Sequence, residues 1–180
     1  ADFSEARFEA DDLIGTVIAR MRAEGVAGTI VSSDKDMVQL LRDGDVMWDY
    51  AGNRRVGYHD VPAQYGIRPE QMIDYLALAG DAVDNIPGVR GVGPKTASAL
   101  LAHFKSLDDL YADLGSVAQL SFRGAKTMAR KLEEHRDQAY LSRELSTIHC
   151  DVPVNTSAVS YTHLRAHETL MNLVCRLLLE

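Results

Sequence analysis

The stretch that most limits what this chain can become is Gly80–Ala97, GDAVDNIPGVRGVGPKTA. Glycines at 88, 91 and 93 lead directly into Pro94, Lys95 and Thr96. Glycine tolerates positive φ and lets another backbone approach closely, and proline presets the first turn of a helix. The string therefore predicts a helix–hairpin–helix turn with amide N–H groups and a positive helix end facing outward. Such a turn is an anion site suited to nucleic-acid phosphate. Lys95 adds a cation and Thr96 a hydroxyl, so Gly88, Val89, Gly91, Val92, Gly93, Lys95 and Thr96 form the expected nucleic-acid-binding element. Contacts of this kind grip the backbone rather than the bases, so binding without sequence preference is expected. A purely structural turn is the plainer reading of any one glycine pair.

Directly before these glycines stand Asp81 and Asp84, acids that would repel the same phosphate. Two similar groups occur upstream: Glu9, Asp11 and Asp12, then Asp34 and Asp36. On a helix Glu9 and Asp12 are i,i+3 neighbours, as Asp81 and Asp84 are if their turn is helical. Asp34 and Asp36 leave a strand end two residues apart and so share a side. Each group alone has a duller reading, as helix-dipole acids or a solvated loop. Together they differ, because each lies at the end of an element, and strand carboxyl ends in an open α/β sheet converge on one crevice.

Like charges about 4 Å apart repel by about 4 kcal/mol at an effective dielectric near 20. Seven carboxylates gathered in this way need divalent cations or must protonate. No histidine or cysteine is interleaved, and all-oxygen donors suit two Mg²⁺ or Mn²⁺ ions rather than zinc. A pair of such ions about 4 Å apart clamps the attacking water and the leaving oxygen of a phosphodiester. All seven acids are expected to serve as metal ligands and catalytic groups. The glycines would hold the strand where the acids cut it.

Charge is distributed to match. Residues 1–84 carry 16 acids against 8 bases, whereas residues 85–157 carry 8 acids against 9 bases. The first half reads as part of an α/β domain. A helix opens in EADDLIGT, with Ile14, Val17, Ile18 and Met21 on one face, and Gly25 stops it. AGTIVSSD suits a buried parallel strand, and DVMWDY and RRVGYHD read as strand, turn and strand around AGN. A short helix through Val61–Tyr65 ends at Gly66, and Pro69 opens another. After Gly80 the chain turns to short helices, so the boundary is placed near Gly80–Asp84, with residues 1–80 carrying the acids and 81–157 the hairpin. The two cysteines, Cys150 and Cys175, make neither a disulfide framework nor a metal spacing. No apolar run approaches a membrane span and no secretory signal opens the chain, so a cytoplasmic setting is expected.

These segments resemble the 5′-nuclease or flap-endonuclease family, in particular the 5′→3′ exonuclease domain of bacterial DNA polymerase I. EADDLIGT, DKDMVQLL, GDAVDNIPGVRGVGPKTA and LSFRGAKTMARKLEEHRDQAYLSRELSTI carry the likeness, in the family's order, across about Arg7 to Val154. The resemblance implies a partial PIN-like, Rossmann-like parallel-sheet domain followed by a small all-α, SAM-like helix–hairpin–helix subdomain. It implies a metal-dependent phosphodiesterase that removes 5′ ends and flaps from duplex DNA in replication and repair, acting as a monomer or as the N-terminal part of a polymerase chain in the bacterial nucleoid. Glu9, Asp11 and Asp12 match one metal site, and Asp34, Asp36, Asp81 and Asp84 the second. Gly88–Thr96 matches the element that holds duplex DNA, with K⁺ at the hairpin. The family's first strand and its helical arch would precede Ala1, so the chain is expected to be a fragment that binds DNA weakly and cleaves it poorly. Residues 158–180 resemble a translated sequencing adapter and are set apart from the fold.

Lesser signals stay open. Arg123 and Lys126, with Arg130 and Lys131, could touch phosphate or simply solvate a helix face. Lys35 lies between two acids, as charge balance or phosphate contact. Trp48, Tyr50 and Tyr58 are expected in the sheet's core, with base stacking as the other reading. Against the nuclease stand a non-catalytic helix–hairpin–helix DNA-binding module and an α/β ribonuclease with a similar acid cluster.

Overall fold

The computed structural model describes residues 7–122 and 124–154. The tail at 158–180 and Arg123 lie outside the described residues. Two compact units are present: residues 7–58 with 148–154, and His59–Thr147. The change of character at Gly80 thus falls inside the second unit.

In the first unit, helix α1 (Ala10–Ala23) precedes strand β1 (Thr29–Val31), and a 3₁₀ turn (Lys35–Leu40) leads to strands β2 (Val46–Asp49) and β3 (Arg54–Gly57). The sheet order is β1-β2-β3, with β1 parallel to β2 in the register Ile30↔Met47 and β3 antiparallel to β2 in the register Met47↔Val56. Ile30, Met37, Val38, Leu41 and Met47 are all less than a tenth exposed and form the core here. Gly25, at φ +81°, ends α1 as expected.

The buried face of α1 is not the one its apolar spacing predicts. Leu13, Gly15 and Thr16 are buried, while Ile14, Val17, Ile18 and Met21 are half-exposed. The reason is a returning strap, residues 148–154, that lies along the helix. A Cβ at Gly15 would stand 2.8 Å from Ile148 Cγ2, so a larger residue there would push the strap's side chains away. The Val152 N–H donates to Thr16 Oγ1 at 3.0 Å, and Arg20 donates to the Val152 carbonyl at 2.7 Å and to the Val154 carbonyl. The Ile148 N–H donates to Gln39 Oε1 at 3.1 Å. A polar helix position that binds backbone cannot be told from a solvent-facing one by hydropathy.

The second unit is helical. It holds α2 (Val61–Tyr65), a 3₁₀ turn at Pro69–Gln71, α3 (Met72–Ala79), α4 (Pro94–His103), α5 (Leu107–Ala112), α6 (Leu114–Val117), α7 (Ala125–Glu134) and α8 (Arg136–Leu145). Met72, Leu76, Leu78, Leu100, Leu107, Leu110 and Leu132 are fully buried. Gln71 donates its amide to the carbonyls of Leu101 at 2.8 Å and of Phe104 and Lys105 at 3.2 Å, satisfying the C-terminal end of α4. No helix among the described residues is long and apolar enough to cross a membrane.

Candidate functional site

In the first unit, β1 delivers the chain to the first acid pair. The Ser32 N–H still donates to the Trp48 carbonyl at 3.2 Å, and the Ser32 hydroxyl then accepts from the Asp34 N–H at 3.0 Å. Asp34 caps the 3₁₀ turn, its Oδ1 accepting from the Asp36 N–H at 2.9 Å. Asp34 and Asp36 therefore stand together at the carboxyl end of a parallel strand, with Asp36 only 8% exposed. Glu9, Asp11 and Asp12 occupy the start of α1, where carboxylates also suit the positive end of the helix. Asp12 is tied at both oxygens: Oδ2 accepts from the Glu9 N–H at 3.2 Å and Oδ1 from the His149 N–H at 2.8 Å.

In the second unit, Asp81 and Asp84 sit not on a helix but on a closed loop. Asp81 and Ile86 exchange backbone hydrogen bonds, Asp81 N–H to the Ile86 carbonyl at 2.9 Å and Ile86 N–H to the Asp81 carbonyl at 2.7 Å. Within the loop the Val83 N–H donates to Asp81 Oδ1 at 2.9 Å, and Asn85 takes φ +56°. One carboxylate oxygen of Asp81 and one of Asp84 lie within 4.8 Å of each other, Asp81 buried and Asp84 exposed.

The glycine string follows. Gly88, at φ +60°, packs backbone to backbone: a Cβ there would stand 2.3 Å from the Gly80 nitrogen. Gly91 also has positive φ, but Gly93 does not; at φ −103° it is the extended N-cap of α4, with Pro94 at the first helical position. A Cβ on Gly93 would meet nothing within 4 Å. Val89 and Val92 turn inward, 2% and 4% exposed, and their N–H groups are spent on the Leu78 and Val89 carbonyls. They anchor the hairpin and offer a strand no donor. The Thr96 N–H is likewise used, on the Gly93 carbonyl at 2.9 Å. Gly91, Gly93 and Lys95 face solvent, and the N–H groups of Gly91 and Gly93 have no partner among the described residues.

Lys131, from α7, brings its ammonium to this turn, 3.2 Å from where a Gly91 Cβ would be. Lys126 is exposed on the same helix, and Arg130 pairs with Glu134 at 3.5 Å. Tyr50 is 56% exposed, so it does not fill the core; Trp48 is half-buried beneath the Arg55 guanidinium, 4.6 Å from the ring centroid, with Tyr50 edge-on to it.

Two buried acids outside the expected set are structural. Asp45 accepts from Gly28 N–H at 2.8 Å, Arg42 N–H at 3.0 Å and the Arg22 guanidinium at 2.5 Å. Burial alone would raise its pKa, but these donors outweigh it and hold the carboxyl below the usual range. Asp74 accepts from Leu107 N–H at 3.0 Å and lies 3.2 Å from Arg143, yet burial keeps its pKa raised. Nothing in the sequence separates these two from the loop acids, since their donors are backbone and distant arginines.

The fold and sequence match known proteins across most of the chain. A 5′-3′ exonuclease N-terminal resolvase-like domain matches residues 2–66, and a 5′-3′ exonuclease C-terminal SAM fold matches residues 67–169. The 5′-3′ exonuclease of Buchnera aphidicola subsp. Schizaphis graminum is 39% identical over 154 residues, covering 86% of this chain and 54% of that protein. DNA polymerase I of Pseudomonas aeruginosa is 45% identical over 82% of this chain and 16% of its own length. Flap endonuclease Xni of Shewanella loihica is 40% identical over 87% of this chain and 59% of its own length. The chain thus spans about half the length of the nuclease relatives it matches. T5 5′-exonuclease with bound zinc ions shares the PIN-like fold, with a TM-score of 0.69 at 23% identity over 82% of this chain and 52% of that one. With two family domains matched in succession, the chain belongs to the 5′-3′ exonuclease family.

Proposed function

We propose that this chain is the acid- and hairpin-bearing part of a divalent-metal-dependent nuclease that cleaves DNA phosphodiesters at 5′ ends and flaps. The observation that carries the reading is the closed loop Asp81–Ile86, which holds two carboxylates within 4.8 Å shortly before the exposed glycines Gly91 and Gly93. Opposite oxygen ligands on one Mg²⁺ lie about 4.2 Å apart, so a small side-chain rotation lets Asp81 and Asp84 share an ion. The donors at all three groups are carboxylate oxygens, the set that Mg²⁺ and Mn²⁺ take in preference to zinc.

In this reading Glu9 and Asp11, Asp34 and Asp36, and Asp81 and Asp84 all serve as ligands of divalent ions. When bound, the two ions would supply Lewis acidity and a water of lowered pKa. The chain's own residues hold the strand. The amides of Gly91 and Gly93, the start of α4, Lys95 and Lys131 grip phosphate, with Lys126 and Arg123 further along and K⁺ at the hairpin. Flap endonuclease Xni and the T5 flap endonuclease solved with DNA and metal ions support this substrate. The 180-residue chain alone is expected to cleave poorly, because it spans about half of such relatives.

Mn²⁺ titration followed by calorimetry, beside duplex binding followed by fluorescence anisotropy, tests the reading. Asp84→Asn and Asp34→Asn should weaken Mn²⁺ binding and leave metal-free duplex binding intact; Lys95→Ala should do the reverse. Mn²⁺ affinity indifferent to both acids would leave only a non-catalytic DNA-binding module.

A further inference from the structure

Asp12 differs from its neighbours in what its carboxylate already does. Oδ2 closes the first turn of α1 on the Glu9 N–H, and Oδ1 holds the His149 N–H, the second residue of the strap. Four residues along the same helix face Thr16 holds the Val152 N–H, and a turn further Arg20 holds the Val152 and Val154 carbonyls. Asp12, Thr16 and Arg20 thus form one i,i+4 row that binds a backbone segment. Asp12 is the end of that row, next to Glu9 and Asp11.

We propose that Asp12 is a positioning residue: it clamps the strap to the first turn of α1 and so fixes the backbone from which Glu9 and Asp11 reach a divalent ion. The role rests on the metal-facing reading of Glu9 and Asp11. A carboxylate directed by two backbone donors has its orientation set by them and is not free to swing toward an ion. Its contribution reaches the metal through the helix turn, in the way outer partners orient ligands elsewhere. Thr16 contributes by the same route: one turn along, it can hold the strap but cannot stand among the first-turn acids.

The experiment compares Asp12→Asn, Asp11→Asn and Thr16→Val in the 180-residue chain. Mn²⁺ binding is read by calorimetry, and hydrogen exchange of the α1 amides by mass spectrometry. Asp12→Asn leaves one acceptor oxygen for two donors. It should weaken Mn²⁺ about tenfold, the low end for loss of an orienting partner, with unchanged stoichiometry and faster exchange at His149 and in the first turn of α1. Thr16→Val, nearly isosteric and unable to touch an ion, should shift both readouts in the same direction. Asp11→Asn should lower Mn²⁺ stoichiometry without loosening the strap. The proposal is overturned if Asp12→Asn removes a bound ion while exchange stays at the wild-type rate, or if Thr16→Val leaves Mn²⁺ affinity unchanged. Wild-type protein that binds no Mn²⁺ would instead sink the metal reading of Glu9 and Asp11, and exchange in Asp12→Asn would still report on the clamp.

Discussion

The Gly88 N–H donates to the Ser142 hydroxyl at 3.1 Å, joining the hairpin to α8 through a pair in which Ser142 is wholly buried. Ser142 passes its own proton to the Gln138 carbonyl at 2.8 Å. Ser142→Ala strands the Gly88 N–H where water does not reach, and a buried donor without a partner costs about 1–3 kcal/mol. Urea unfolding should show a loss in that range, and duplex affinity should fall as the hairpin loosens.

Gly88 and Gly93 look equivalent in sequence but should respond differently to alanine. At Gly88 the new Cβ meets the Gly80 backbone at 2.3 Å, and the residue sits at φ +60°. Left-handed backbone alone costs about 1–2 kcal/mol for an L-residue, so Gly88→Ala should lower stability by more than that. At Gly93 the Cβ enters open space at an ordinary φ. Gly93→Ala should leave the thermal midpoint nearly unchanged while weakening duplex binding in anisotropy titrations if the proposed strand contact is made there.

Lys95 and Lys131 should act through charge rather than shape. Replacing either with alanine should weaken all duplex sequences alike. Each should lower the slope of log affinity against log salt by about one, the signature of a single lost phosphate contact. Equal slopes in wild type and both variants would remove these lysines from the interface.

Asp45 and Asp74 should pull the acid stability profile in opposite directions. The folded pKa of Asp45 lies below its usual value of 3.8. Its stabilisation is therefore complete above about pH 4 and is lost as pH falls through the lowered folded value. For Asp74 the folded pKa is raised by burial, so its ionised form costs stability near neutrality and that cost is relieved on acidification. At pH 7, Asp45→Asn should cost about 1–3 kcal/mol, and Asp74→Asn less. Denaturant midpoints measured from pH 7 down to pH 3 should flatten in Asp45→Asn and steepen in Asp74→Asn.

Much of this architecture is legible in the amino-acid sequence. Pro69, Pro94, Gly25 and Gly66 mark helix ends through backbone chemistry that acts locally, and each mark stands where the structure has it. The parallel strand before Asp34 was legible because the adjacent apolar pair Ile30 and Val31, both buried, runs straight into a polar turn. What escaped were features made by distant partners. The buried face of α1 depends on a strap more than 130 residues away, as the Thr16–Val152 bond shows. Two other misses were local: Gly93 is the extended cap of α4 rather than a positive-φ turn residue, and Tyr50 stands exposed at the AGN turn instead of in the core.

The strap makes the first unit from two stretches separated by the whole of His59–Thr147. On a ribosome the helical unit is therefore released as one continuous piece, while the sheet waits with α1 lacking its cover. Val152, in that strap, is fully buried. Termination before residue 148 would leave the helical unit whole and the acids of α1 on a helix without its strap.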